Sequence, residues 1–109
     1  MSKKEEFIRE MQSKYSAIVQ MQVWIDNGFV WSMEGSVGRE AMRGLESGMY
    51  FLPDESHKDY YGNHIPSREE IRIGTAGSLD NSFEYYTDES NIELLEITQH
   101  YNDNKEYYE

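Results

Sequence analysis

The sequence predicts an α+β fold, in which a small antiparallel sheet built on a tryptophan-containing β-hairpin is covered by about three helices. Apolar and polar residues alternate from Val19 to Ile25, which is the two-residue period of a strand. Helical spacing of apolar residues is found on both sides of this stretch. The chain has 109 residues, enough for one hydrophobic core. We therefore expect a single globular domain over residues 1–101, followed by an acidic tail, residues 102–109.

The predicted hairpin turns at Asn27 and Gly28, because Asn-Gly is well suited to the positive φ angles of a type I′ turn. With that turn, Trp24 and Trp31 lie opposite each other on adjacent strands. A competing interpretation continues the N-terminal helix to Asn27 and uses Gly28 as its C-terminal cap. The alternation of apolar residues before the turn favours the hairpin.

Two helices are predicted to flank the hairpin. Residues 3–16 carry one apolar stripe at helical spacing, and acidic residues in the first turn suit the helix dipole. Residues 36–47 have a second such stripe, and Gly48 is placed to end that helix in the left-handed conformation. Gly38 and Gly44 each weaken a helix by about 1 kcal/mol relative to alanine. We therefore expect close packing on the hairpin at both glycines.

The middle of the chain is more polar and less regular. Residues 49–52 form a short apolar segment that predicts one further strand. Residues 53–66 predict a long ordered loop anchored by Tyr60, Tyr61 and Ile65. After this loop, residues 67–70 form a capping-box pattern that can open one helical turn, or alternatively residues 70–73 form a short strand.

The last third of the chain predicts a weak strand and a closing helix. Residues 83–87 have the aromatic content of a strand. The closing helix begins at a capping-box pattern, residues 90–93, and extends to about His100. Its apolar, inward side consists of Ile92, Leu95 and Tyr101, with Leu94 or Thr98 beside them. Residues 102–109 contain too little apolar surface to order themselves.

Charge is the most unusual property of the composition. Ten basic residues stand against twenty-one acidic ones, which gives a net charge of −11. Residues 80–109 contain one lysine and nine acidic residues, so −8 of this charge lies in the last thirty positions. Such a surface repels nucleic acid and anionic membranes and attracts basic protein surfaces. The ordinary alternative is that the acidity only keeps a small protein soluble.

Several chemistries lack their usual residues in this sequence. There is no cysteine, which excludes disulfides, thiol nucleophiles and thiolate metal sites. His57, Asp59 and His64 share the long loop, but their spacing matches no established metal pattern. No serine-hydrolase or zinc-protease motif is present. We therefore expect a protein without a metal, a cofactor or catalytic activity.

The N-terminal sequence Met-Ser-Lys-Lys-Glu-Glu lacks the apolar core of a signal peptide. No run of apolar residues is long enough to span a membrane. A soluble protein in the cytoplasm is the simplest expectation from these two observations.

The C-terminal acidic residues form the predicted partner-binding surface. They are Glu84, Asp88, Glu89, Glu93, Glu96, Asp103 and Glu106. In size, acidity and lack of catalytic motifs, the chain resembles small virus-encoded inhibitors that imitate the charge of nucleic acid. That resemblance is one of composition, and it transfers no residue and no target. The sequence thus predicts a non-enzymatic binding or inhibitor protein that occupies a basic surface of a partner protein, such as a nucleic-acid-binding surface.

An alternative hypothesis is binding of a small anionic, nucleotide-like ligand. Backbone amides in a glycine-rich loop and nearby guanidinium groups are suited to hold a phosphate. The candidate residues are Arg39, Arg43, Arg68, Arg72, Gly74, Thr75, Gly77 and Ser78. No complete P-loop pattern is present, and a plain turn with ordinary salt bridges explains the same residues. Convergence of the four arginines would distinguish the two hypotheses.

Overall fold

Five α-helices and one very short antiparallel sheet make up the described part of the chain, residues 2–103 of a computed structural model. The helices are α1 (Lys3–Gln12), α2 (Ser16–Asp26), α3 (Gly35–Ser47), α4 (Leu79–Thr87) and α5 (Glu89–Asp103). A 3-10 helix, Phe29–Ser32, separates α2 from α3. In the long loop, β1 (His57–Lys58) pairs with β2 (His64–Ile65). The α+β class is thus confirmed in its coarse form, with more helix and less sheet than predicted.

The predicted tryptophan hairpin is not present, because residues 16–26 form α2 and residues 29–32 form the 3-10 helix. The residues that α2 buries are Ile18, Gln22 and Ile25. Their spacing of four and three residues is helical. Directly after α2, glycine 28 has a φ of 78°, as the competing interpretation required. The apolar alternation wrongly predicted a strand, because Gln22 is buried in the core whereas Val19 and Val23 of α2 are exposed.

Residues 49–52 run through the core without forming the predicted strand. Their backbone groups bond to two buried glutamine side chains. Gln22 accepts a hydrogen bond from the Phe51 amide at 3.2 Å and donates one to the Phe51 carbonyl at 2.9 Å. Gln12 donates to the Met49 carbonyl at 3.1 Å and to the Gln22 side chain at 3.0 Å. The glutamines thus satisfy buried backbone groups that would be costly to leave unpaired.

α3 covers the predicted second helix and ends at Gly48, whose φ of 100° is left-handed. Gly44 packs closely, although against Tyr50 and not against a hairpin. A β-carbon added at Gly44 would lie 2.0 Å from an atom of the Tyr50 ring. Gly38 differs, because an added β-carbon would meet nothing within 4 Å. The expectation of close packing therefore holds at only one of the two glycines.

The long loop is closed by Asp59 and not by the tyrosines beside it. The Asp59 carboxylate accepts hydrogen bonds from the backbone amides of Asn63 and Tyr61, at 2.8 and 2.9 Å. These bonds, led by the one from Asn63, hold the pKa of Asp59 below its ordinary value. Tyr60 and Tyr61 are 78% and 85% exposed, so the predicted anchoring of the loop by their rings is wrong. Ile65, the third predicted anchor, is half-buried against the core.

Residues 67–73 form turns, in place of the helical turn or strand that was predicted. The Ser67 amide donates a hydrogen bond to the Glu70 carboxylate at 2.6 Å. The backward bond of a capping box therefore forms here without a helix after it. This bond, together with one from His64, holds the pKa of Glu70 below its ordinary value.

α4 replaces the weak strand predicted over residues 83–87. Its first turn is capped by Ser78, whose hydroxyl oxygen accepts a hydrogen bond from the Asn81 amide at 3.1 Å. α4 packs on α1, where the rings of Phe7 and Phe83 meet edge to face with their centroids 5.4 Å apart. Packing on α1 thus overrides the strand propensity of the aromatic residues.

α1 and α5 differ from their predicted lengths. α1 ends at Gln12, and the chain turns before α2 begins at Ser16. α5 extends through Asp103, beyond the predicted end near His100 and into the predicted tail. The rest of that tail, residues 104–109, lies outside the described residues. Within the described part of the chain, no helix is both long and apolar enough to cross a membrane.

Candidate partner-binding face

The acidic residues of the C-terminal third that the structure describes lie on α4, on α5 and at the junction between these helices. Five of them have exposed side chains: Glu84, Asp88, Glu89, Glu93 and Glu96. The last three follow one another along α5 at spacings of four and three residues, so they form one row, here called the acidic row. Of the other two predicted residues, Asp103 ends α5 and Glu106 lies outside the described residues.

No salt bridge among the described residues neutralises these five carboxylates. By contrast, Asp80 at the start of α4 is paired with Lys4 of α1. Asp88 also has a structural role, because its Oδ1 atom accepts a hydrogen bond from the Ser90 amide at 2.9 Å. Within the described part of the chain, the face therefore presents carboxylates that form no salt bridge, and such negative charge attracts cationic groups from solution.

An apolar stripe runs along α5 beside the acidic row. It consists of Leu94, Ile97 and Tyr101, whose side chains are 63%, 66% and 53% exposed. On the inward side, Leu95 is buried and Ile92 is half-buried. Tyr101 was predicted to face inward, but it follows Ile92 by nine residues, which at about 100° per residue places it on the opposite side of a helix. Ile92 and Leu95 face inward as predicted, whereas Leu94 and Thr98, which were placed beside them, are exposed.

The acidic row and the apolar stripe meet in one shallow concavity of about 350 Å³, lined by Glu93, Glu96, Ile97 and His100. Glu96 also borders a neighbouring concavity of about 320 Å³ together with Tyr15. Burial, with a contribution from the charge of Glu96, raises the pKa of Tyr15. A broad face with shallow depressions is better suited to another macromolecule than to a small ligand, which needs an enclosing pocket.

Arg68, a candidate for the alternative anion site, belongs to a largely buried ion-pair network. Its Nη2 atom lies 3.0 Å from Glu5 Oε1 and 2.5 Å from Asp54 Oδ1. Glu5 also pairs with Arg9, which reaches Asp26 at 3.2 Å. Burial alone lowers the pKa of Arg9, but hydrogen bonds and charges of Glu5 and Asp26 raise it above its ordinary value. The guanidinium of Arg68 is therefore used to connect segments of the fold.

The other three candidate arginines lie elsewhere. Arg39 and Arg43 are one turn apart on α3, where Arg43 pairs with Glu40 at 3.8 Å. Arg72 is exposed in the turns that precede α4. Arg39 and Arg68 line different concavities, so the four arginines are not brought together at one place.

Four of the five amides of the glycine-rich loop, residues 74–78, donate hydrogen bonds within the protein. The Gly74 amide donates to the Ser78 hydroxyl at 3.1 Å, and the Thr75 amide donates to a preceding carbonyl at 3.1 Å. The Gly77 amide donates to a carbonyl of α3 at 3.1 Å, and the Ser78 amide to the Thr75 carbonyl at 3.0 Å. An anion nest requires amides that converge on empty space. This loop instead joins α3 to the start of α4.

The structure contains an aromatic groove of about 620 Å³ that was not predicted from the sequence. The adjacent pair Tyr60 and Tyr61 was the sequence signal that could have indicated it. The groove lies between the 3-10 helix, α3 and the tip of the long loop. Tyr60 and Tyr61, whose rings meet edge to face at 5.3 Å, form part of its lining with Trp31. Arg39 and Asp59 also line it, so both signs of charge are present and charge alone favours no ligand class.

The three loop residues considered for metal binding are used in separate contacts. His57 Nε2 lies 3.3 Å from the Asp26 carbonyl, and His64 Nε2 lies 2.9 Å from the Glu70 carboxylate. Asp59 closes the loop tip through backbone amides. Residues 2–103 contain no group of three or more histidine, cysteine, aspartate or glutamate side chains placed to hold a metal ion.

Comparison with known proteins assigns no family to this chain. No protein-family model matches it, and neither a curated protein nor a solved structure shows significant similarity. The geometry and charge of the chain's own residues therefore carry the functional argument.

Proposed function

We propose that this protein is a non-enzymatic acidic binding protein whose C-terminal face occupies a basic surface of a partner protein. The observation that carries the proposal is the set of five exposed carboxylates on α4, on α5 and at their junction, which have no salt bridge among the described residues. A basic partner surface would neutralise them on binding, and the field of the face would speed the encounter. Binding would inhibit the partner protein if that basic surface is the partner's functional site.

The spacing of the acidic row bears on what kind of basic surface it fits. The seven residue steps from Glu89 to Glu96 span about 10 Å at the helical rise of about 1.5 Å per residue. The three carboxylates therefore follow one another at intervals of roughly 5 Å, whereas duplex DNA has one charge per about 1.7 Å of its axis. The row is therefore much less dense than a duplex. This favours a basic protein surface in general over close imitation of duplex phosphates.

Association kinetics at rising salt concentration test the proposal. Proteins captured from a lysate at low salt are purified, and their association rate constants with this protein are measured. Exposed charges are screened over about 8 Å at physiological ionic strength, so association should slow as salt rises. Replacing Glu89, Glu93 and Glu96 by glutamine should lower the rate constant several-fold. The melting temperature should stay nearly unchanged, because all three side chains are exposed.

A matched control separates the face from the overall charge of the protein. Glu10, Glu46 and Glu69 are also exposed carboxylates without a salt bridge in the described structure, and they lie outside α4 and α5. Replacing these three by glutamine changes the net charge by the same amount, yet should slow association much less. A partner whose binding is indifferent both to salt and to the substitutions in the acidic row would contradict the proposal.

A further inference from the structure

We propose that the outward side of α5 is a docking surface for a basic amphipathic helix of a partner protein. This inference rests on the proposed function, because it uses the same acidic row. It goes further by naming the secondary structure of the partner segment and the apolar contacts that hold it. The apolar stripe would receive the apolar side of the partner helix, and the acidic row would receive lysine or arginine side chains along its flank.

The apolar stripe is the first support for this assignment. Leu94 and Ile97 are each about two-thirds exposed, at 63% and 66%, and Tyr101 continues the line one turn further on. Single exposed apolar residues are ordinary on protein surfaces, but several on one helical stripe form a contiguous patch. Helix-in-groove recognition uses residues at this spacing as anchors. Burying the patch against another apolar surface would release water from all three side chains.

The position of the acidic row relative to the stripe is the second support. Residues four positions apart are neighbours on a helix surface, so Glu93 lies beside Ile97. The row covers residues 89–96 and the stripe covers residues 94–101, so the two sets overlap by about one turn in the middle of α5. The shared concavity, lined by two residues of the row and one of the stripe, brings the two kinds of contact within reach of a single partner segment. Charge complementarity thus selects a partner with cations on one flank of its apolar side.

The backbone of α5 determines the secondary structure of that partner segment. A helix has its own backbone groups paired internally, so it offers no donors or acceptors to a neighbouring chain along its side. An extended peptide lying on the stripe would bury unpaired amides and carbonyls, which is costly. A partner helix pairs these groups within itself and can pack its ridges against those of α5. The occupant that fits is therefore a helix.

Two other occupants are opposed by charge. A second copy of the chain would approach with its own net charge of −11 and its own acidic row beside the stripe. Like charges brought together in this way oppose association. An anionic membrane surface would be repelled by the same carboxylates, whereas helices that lie on such membranes carry basic residues.

The test uses two synthetic peptides of identical composition with the full-length protein. One peptide places leucines at helical spacing and lysines along one flank, and the other has the same residues in an order that abolishes the apolar side. Dissociation constants are measured by calorimetry, and the contact is located by NMR shifts of residues 89–101. The amphipathic peptide should bind at least about tenfold more tightly, since it alone can bury the apolar stripe.

Substitutions on α5 then identify the contacts. Leu94→Ser with Ile97→Ser should abolish the advantage of the amphipathic peptide. The matched control is Val19→Ser with Val23→Ser, which removes two exposed apolar side chains from α2 and should keep that advantage. Glutamine at all three positions of the acidic row should weaken the binding of both peptides.

The outcomes separate this inference from the proposed function. If both peptides bind equally, or if the α5 serine variant keeps the advantage, the docking surface is wrong even where the glutamine variant weakens both. If the glutamine variant weakens neither peptide, the proposed function fails and the inference fails with it. Self-association in sedimentation that the α5 serine variant abolishes would make a second copy the occupant. Binding of the amphipathic peptide only after deletion of residues 104–109 would make that segment the occupant, and either result overturns the proposal.

Discussion

Arg68 Nη2 lies 3.0 Å from Glu5 Oε1, and this contact joins the turns after the long loop to the first helix across 63 residues of sequence. The side chains are 14% and 8% exposed. Arg68 also donates to the Leu52 carbonyl at 3.4 Å, and its guanidinium lies 5.8 Å from the centroid of the Phe51 ring. Through Arg68, these contacts connect α1 and residues 49–52 to the turns that follow the long loop. The guanidinium of Arg68 is thus engaged in contacts within the fold.

Replacing Arg68 by alanine is expected to lower the free energy of unfolding by roughly 1–3 kcal/mol. Loss of one partner of a buried pair usually costs more, but Glu5 keeps its bond to Arg9 at 3.0 Å. Urea unfolding measures the change. The matched control is Arg43→Ala, because Arg43 is 75% exposed and pairs with Glu40 only at 3.8 Å. Equal effects at the two arginines would show that the buried network contributes no more than a surface pair.

Replacing Gly38 or Gly44 of α3 by alanine should change the free energy of unfolding in opposite directions. Gly38→Ala is expected to raise the free energy of unfolding by up to about 1 kcal/mol, because alanine favours the helix and the added carbon meets nothing within 4 Å. Gly44→Ala should lower it by roughly 1–3 kcal/mol, since the added carbon would lie 2.0 Å from the buried Tyr50 ring. Thermal and urea unfolding of both variants check this pair. Stabilisation by Gly44→Ala would show that the ring moves aside at little cost.

Helix ends and helix faces that depend on residues nearby in the sequence could be predicted from local patterns. Gly48 ends α3 as predicted, because a left-handed residue after a helix is a local requirement. The exposure of the acidic row likewise follows from the inward positions of Ile92 and Leu95. The apolar stripe could be found in the same way from the spacing of its residues. It was missed because Tyr101 was assigned to the inward side.

Features that depend on distant partners could not be predicted from local patterns. Gln22 occupies a core position because its amide group bonds to Phe51, which lies 29 residues further along the chain. Because the sequence does not reveal that partner, Gln22 was assigned to the solvent-facing side of a strand. The separation of the four arginines could not be predicted for the same reason. Arg68 pairs with Glu5 of α1, which is 63 residues away in the sequence.

Burial of tyrosine side chains should make the protein less stable at alkaline pH. Burial raises the pKa of Tyr50 from its ordinary value of 10.0 to about 12, with smaller contributions from the charges of Glu40 and Tyr85. Burial also raises the pKa of Tyr86, whose hydroxyl donates to the Met49 carbonyl at 2.8 Å. Between pH 10 and pH 12 the unfolded chain therefore loses phenolic protons that the folded protein keeps.

The sign of the effect follows from proton binding. The contribution of Tyr50 is fully present below pH 10, and it is lost as pH rises towards 12. Each such tyrosine should lower the free energy of unfolding by up to about 1.4 kcal/mol per pH unit in this range. Urea unfolding from about pH 9 to about pH 12, with tyrosinate absorbance recorded in parallel, measures this slope. Tyr50→Phe should make it shallower, whereas Tyr60→Phe, at a ring that is 78% exposed, should leave it unchanged. An unaltered slope in the Tyr50→Phe variant would mean that Tyr50 ionises in the folded protein as readily as in the unfolded chain.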